Sequence, residues 1–243
     1  MDTEARRTRR DFLVAAGTAG AGLLLAGCRG IAGRAQEKEV EEGEEGVTAT
    51  EDLMREHGVL ERILLIYEEG IRRIEAHDAL LPEDLFGAAM IVRAFVEDYH
   101  EKQEESDVFP RLEKASRLAP LTAILRAQHK AGRNLTDGIL KRLQPEPFNV
   151  PESRRELAAL MRSFARMYRP HYAREDTVVF PALRAVTPPE EFAKLADRFE
   201  DRERETLGPE GFEKAVASVA QIEEAMGIAD LAQFTPKEAQ SEK

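Results

Sequence analysis

From Glu51 onward, apolar residues recur three and four positions apart. In the first segment Leu53, His57, Leu60, Leu64, Tyr67, Ile71 and Ile74 are spaced 4, 3, 4, 3, 4, 3, the mark of a helix with one buried seam. That segment ends near His77, and Pro82 restarts the chain at a first-turn position. The second segment carries Leu85, Ala89, Val92, Val96, His100 and Glu104 on one face; the third carries Leu125, His129, Gly132, Leu135, Ile139 and Leu143. Pro145, Pro147 and Pro151 break the chain before a fourth seam of Leu157, Leu160, Phe164, Met167, His171, Glu175 and Val178. Short connections imply antiparallel neighbours, so the predicted fold is all-α, an up-down-up-down four-helix bundle. One or two further helices are expected within 188–227, and a frayed end over 228–243.

Composition agrees with long solvated helices and thin apolar seams: 33% of residues are charged, 6% are aromatic and there is no Trp. A net charge of -11 argues against a nucleic-acid partner. No internal stretch approaches the ~20 apolar residues of a membrane span.

The N-terminus calls for a separate reading. Arg9 and Arg10 precede Phe12 and Leu13, an Ala/Gly-rich apolar stretch follows, and it ends in Leu25-Ala26-Gly27-Cys28. The arrangement resembles a twin-arginine export signal (residues 1–28) closed by a lipobox, whose cysteine would carry a lipid. Cys28 is the only cysteine, so no internal disulfide is possible and a lipid thioether would account for it. Residues 29–50, rich in Gly and Glu, read as a flexible spacer. The expected location is therefore the cell envelope, with the protein held to a membrane by an N-terminal lipid anchor and displayed on the periplasmic or extracellular face.

Four of the five histidines fall on the four seams, one on each. One seam histidine is ordinarily a hydrogen-bonded core residue. Four imidazoles in register with two carboxylates in a dry core are costly unless something pairs them, and metal ions would make every group a ligand. The spacing carries the same message. HEKQEESDVFP from His100 and HYAREDTVVFP from His171 share His-x-x-x-Glu-x-x-x-Val-Phe-Pro, followed by Leu112 and Leu183. The histidines of this motif are offset by 71 residues, and His57 and His129 by 72, so a helix pair is duplicated. On a helix, i and i+4 share a face, and imidazole with carboxylate suits iron, zinc or manganese.

These residues resemble the hemerythrin family of His-His-Glu cation-binding domains over about residues 51–184, with 185–243 as a C-terminal extension. The resemblance implies the up-down-up-down topology, of which myohemerythrin is an established example. It also implies two iron ions held by His57, His100, Glu104, His129, His171 and Glu175. Oxygen-carrying members have a second third-helix histidine where this chain has Arg133, which puts reversible oxygen carriage in question. Glu101 and Asp176 match positions used as carboxylate ligands in some members; on a regular helix the i+5 position of Asp176 points away from His171, so Glu175 is preferred, and Pro170 is a source of local distortion.

Glu97-x-x-His100 has the spacing of a ferritin-like ligand pair, but its counterpart before His171 is Tyr168. His77 is expected near a helix C-terminus, Phe109 and Phe180 as caps over the site, and Tyr67 as core. No nucleophile–base pair or phosphate loop supports a hydrolase or kinase. Three functions remain: binding of oxygen, nitric oxide or peroxide; iron handling; or a structural bundle holding zinc or no metal.

Overall fold

The computed structural model describes residues 47–236. Arg9, Arg10, Cys28 and most of the expected spacer lie outside them. Among the described residues the chain is all-α. Helix α1 is Ala49–Ala76. It begins two residues before Glu51, where the pattern starts, because Ala49 already packs in an apolar cluster with Leu53. His77 adopts φ 58° and ends the helix in a left-handed turn, with Asp78 N–H donating to Arg73 O at 2.9 Å. Helix α2 is one rod over residues 82–114, with Pro82 in its first turn. Helix α3 is Ala119–Arg142. A one-turn helix, Pro145–Phe148, forms inside the proline-rich break. Helix α4 covers residues 151–186, α5 is Pro189–Thr206 and α6 is Gly211–Ala225.

Side-chain pairs fix the helix directions. The start of α2 meets the end of α1, where a Cβ on Gly70 would touch Leu85, while His100 meets His57. Arg93 pairs with Asp137, and Glu105 with His129, so α2 and α3 are antiparallel. Arg142–Glu156 and His129–His171 do the same for α3 and α4. Arg162–Glu75 and Asp176–His57 close α4 against α1. The up-down-up-down bundle follows.

Two rods leave regular helical geometry. In α2 the segments Val92–His100 and Glu104–Val108 are π-helical, and in α4 so is Glu175–Val179. A π turn takes an extra residue per turn and shifts the buried face by one position. Val179 is accordingly buried in place of Val178. Glu104–Val108 and Glu175–Val179 occupy equivalent positions of the repeat.

Helices α5 and α6 occupy the expected C-terminal region and explain a second feature that the seam did not anticipate. Helix α1 buries Val59, Ile63 and Ile66 as well as its seam, because α6 covers its other side. Arg62 forms a two-pronged pair with Glu223 at 2.9 and 2.5 Å, and Phe212 packs on Phe95. Helix α5 caps the far end of the bundle through Leu195 and Phe199, which join Leu53, Leu112 and Leu183. Its Arg202 reaches Asp107 at 2.9 Å. A frayed end was expected beyond 228; the short 3-10 turn Leu231–Phe234 buries no residue.

Phe199 is fully buried in this end cluster, whereas Phe234 is exposed. Phe199→Ala should cost about 3–5 kcal/mol and Phe234→Ala less than about 0.5 kcal/mol; chemical denaturation measures both, and equal effects would contradict the placement of α5.

Candidate metal centre

The six residues singled out by the repeat come together between the two apolar clusters. All are buried, and none is more than 4% exposed. They converge in matched pairs: His57 Nε2 lies 3.1 Å from His100 Nε2, and His129 Nε2 lies 3.1 Å from His171 Nε2. Glu104 lies between the pairs, 3.8 Å from His100 Nε2 and 3.4 Å from His129 Nε2. Glu175 does the same from the other side, 3.1 Å from His171 Nε2 and 3.6 Å from His57 Nε2.

The opposite nitrogen of each ring is anchored outward. His57 Nδ1 bonds Asp176 at 2.7 Å and His129 Nδ1 bonds Glu105 at 3.1 Å. His100 Nδ1 bonds Glu56 at 2.7 Å, and His171 Nδ1 bonds the Gln128 side-chain oxygen at 2.9 Å. Every partner is an acceptor, so each Nδ1 carries the proton and donates it. In a neutral ring that leaves a lone pair on Nε2. Two such lone pairs facing each other at 3.1 Å repel unless a cation lies between them, either a proton on one ring of the pair or a metal ion. The four oxygens of Glu104 and Glu175 also have no hydrogen-bond partner among the described residues. Buried carboxylates left in that condition cost several kcal/mol each. Inward lone pairs, orphaned carboxylates and outward-locked Nδ1 protons together fit a metal cage. The donor groups resolve into His57, His100 and Glu104 on one side, and Glu104, His129, His171 and Glu175 on the other, with Glu104 common to both.

The family profile described as Hemerythrin HHE cation binding domain matches residues 48–183. The chain belongs to the hemerythrin HHE cation-binding family. It is also 47% identical over 231 residues to uncharacterized proteins of Mycobacterium tuberculosis and Mycobacterium bovis, a match covering 94% of this chain and 91% of each relative. No solved structure matches it significantly. As a hemerythrin-type domain it is a metal-binding helical bundle, and its buried His/Glu cluster groups donors close enough together to hold a cation.

The π turns explain how consecutive carboxylates serve one ring. Glu104 faces His129 Nε2 while Glu105 takes His129 Nδ1. Glu175 and Asp176 bracket His57 in the same way. Asp176, considered as a ligand from its spacing, thus lies on the outward nitrogen of His57. Glu101, the other candidate ligand, has one oxygen taken by Tyr168 O–H at 2.6 Å and the other paired with Arg133 at 2.6 Å. Arg133 also reaches Glu105 at 2.6 Å, placing a fixed cation where oxygen carriers have a further imidazole. Phe180 stacks on His57 and Phe109 on His129, at 5.6 and 5.7 Å between centroids, as the caps expected from the repeat. Tyr67 is core, against Phe164. His77 is exposed and outside the cage. Glu97 pairs with Arg93 at 2.8 Å instead of joining the cage, and burial pushes its pKa up to about 7.

Sequence reasoning missed Glu56 and Gln128 as anchors. The signal was available: each immediately precedes a seam histidine, in the same 72-residue offset.

Charges within the cluster are uneven. Burial pulls His100 and His171 down to about 3, keeping both neutral. Burial also opposes charge on His129, but Glu104, Glu105 and Glu101 outweigh it and lift it to about 10. His57 is raised in the same way, with burial overcome by Asp176, Glu175 and Glu104. Burial, then the Glu104 charge, raises Glu175 well above the ordinary carboxylate range. At neutral pH His129 therefore holds a proton that a bound cation must displace, and the upward shifts of His57 and Glu175 add to that competition. Metal affinity should rise with pH across the neutral range, roughly tenfold per unit for each proton released. Calorimetric titration with a divalent metal in buffers of differing ionisation enthalpy should show proton release; affinity unchanged between about pH 6 and pH 8 would contradict the assignment.

Proposed function

We propose that this protein is a dinuclear iron centre that binds a small oxygen-derived or related ligand (oxygen, nitric oxide or peroxide). The observation that carries the reading is the position of Glu104 and Glu175, each between both histidine pairs. Two carboxylates shared by two nitrogen pairs supply few donors per ion, which leaves positions for an exogenous ligand. Mixed imidazole and carboxylate donors suit iron, with zinc or manganese as lesser candidates. When bound, iron would supply Lewis acidity and one-electron redox chemistry. The protein's share is to orient the imidazoles through their Nδ1 bonds, to exclude water with Phe109 and Phe180, and to hold Arg133 as a positive charge beside Glu101 and Glu105.

Deep burial of every donor favours a resident metal over a store that exchanges it quickly. Arg133 in place of a further imidazole favours reaction with the ligand over reversible carriage. A bundle holding zinc in a purely structural role is the competing reading. Protein folded in iron-replete cells should contain two iron ions per chain and develop an oxo-bridged di-ferric absorption on exposure to oxygen. Glu104→Gln and Glu175→Gln should lower the iron content. One tightly held ion, unchanged in both variants, would overturn the shared-carboxylate reading, and zinc in place of iron would support the structural one.

We further propose that the chain works at the cell envelope as an exported lipoprotein, on the strength of Arg9-Arg10 and of Cys28 as the sole cysteine. Cys28→Ser should abolish acylation and release the protein from the membrane fraction. Unchanged membrane association would refute the anchor while leaving the metal centre untouched.

A further inference from the structure

The groups that orient the four imidazoles follow the duplication, but one cluster beside them does not. Tyr168, Glu101, Arg133 and Gly132 have as their repeat counterparts Glu97, Tyr172, Glu61 and Leu60. None of the four is required by the duplicated ligand frame, yet they fit one another closely. The Tyr168 phenol donates to Glu101 Oε1 at 2.6 Å, and Arg133 holds Glu101 Oε2 at 2.6 Å. The phenol occupies a notch in α3 that exists because residue 132 is glycine. A Cβ there would lie 2.7 and 2.9 Å from the Tyr168 ring carbons Cζ and Cε2, and closer still to its oxygen. The ring meets His171 edge-on at 5.4 Å between centroids and Phe164 at 4.3 Å. It is 1% exposed.

We propose that Tyr168 is a redox-active residue, which gives one electron to the metal centre during reduction of a peroxide while its phenolic proton passes to Glu101. This rests on the di-iron reading above. Reduction of one hydrogen peroxide to two waters needs two electrons and two protons. With both ions ferrous, the metals supply both electrons. A centre with one ion already ferric would supply only one electron, and Tyr168 supplies the other. The O–H bond of Tyr168 breaks, its proton moves along the 2.6 Å hydrogen bond to Glu101, and a neutral phenoxyl radical remains. The two protons for water come from solvent. Oxidation of a phenol without a proton acceptor would strand a charged radical in a dry core, at the cost of any unpaired buried charge. Arg133 keeps a partner throughout, because it also pairs with Glu105.

The other tyrosines lack part of this arrangement. Tyr67 is fully buried, but its hydroxyl has no acceptor among the described residues. Tyr99 donates to Glu56, but that carboxylate also anchors His100 Nδ1, so a proton passed to it would disturb a cage imidazole. Tyr172 bonds Glu61 and lies 5.5 Å from the His57 ring, but it is half-buried and open to solvent, where a radical is quickly lost.

The test uses full-length, iron-loaded protein whose metal content is measured first, poised half-reduced, mixed with hydrogen peroxide and frozen for electron paramagnetic resonance. A tyrosyl signal is expected in the wild type, narrowed when the tyrosine rings are deuterated. It should vanish in Tyr168→Phe at unchanged iron content and persist in Tyr67→Phe. Glu101→Gln keeps the phenol but removes the proton acceptor, and should also abolish the signal. An iron-loaded wild type without a tyrosyl signal, a signal that survives in Tyr168→Phe, or one lost only in Tyr172→Phe would overturn the proposal. Protein that binds no iron at all would instead overturn the di-iron reading on which it stands.

Discussion

Each imidazole of the cage donates from Nδ1 to an acceptor outside the cage, and the rest of the site depends on those four bonds. They fix ring orientation and aim each Nε2 inward, where it becomes a lone pair once the ring is neutral. Without them a buried histidine could turn its N–H toward Glu104 or Glu175 and satisfy the carboxylate directly. The cluster would then be an ordinary polar network. Outer partners of this kind typically change metal affinity 10–100-fold when removed.

Tertiary packing protects this arrangement from water. One apolar cluster fills the bundle from Ile74 and Leu85 to Tyr168, and another closes the opposite end from Leu53 to Phe199. The cage lies between them, with Phe109 and Phe180 against its rings. A dry surround strengthens every attraction between ligand and cation, and raises the cost of leaving any donor unpaired. Helix α5, which belongs to neither repeat, completes the end cluster, so the C-terminal region contributes to the chemistry without supplying a ligand.

The bundle and all six cage residues were legible because two independent periodicities coincide on them. The three-four seam places one histidine on each helix, and the repeat pairs His100 with Glu104 and His171 with Glu175. What was not legible came from geometry that a straight helix does not have. At i+5 from His171, Asp176 should point elsewhere; the π turn at Glu175–Val179 brings it to His57 instead. The same effect moves burial from Val178 to Val179. Gly132 read as a small seam residue, and only the position of Tyr168 across the interface shows that the missing side chain makes room for a phenol. The burial of α1 on two sides was hidden because its cause lies more than a hundred residues away, in α6.

The clamps on His57 and His129 cross between the two halves of the duplication. Glu104 and Glu105, from the first helix pair, bracket a histidine of the second; Glu175 and Asp176, from the second, bracket a histidine of the first. A lone helix pair could bring two imidazoles and one carboxylate together, but its leading histidine would lack the acceptor that holds its Nδ1. The smallest unit able to build this cage is thus two helix pairs, on one chain or on two. A single-pair ancestor with this motif would have had to function as a symmetric dimer, and fusion of its two copies would have freed each half to change independently. The tyrosine, arginine and glycine found on one side alone are changes that a strictly symmetric dimer could have accepted only twice over.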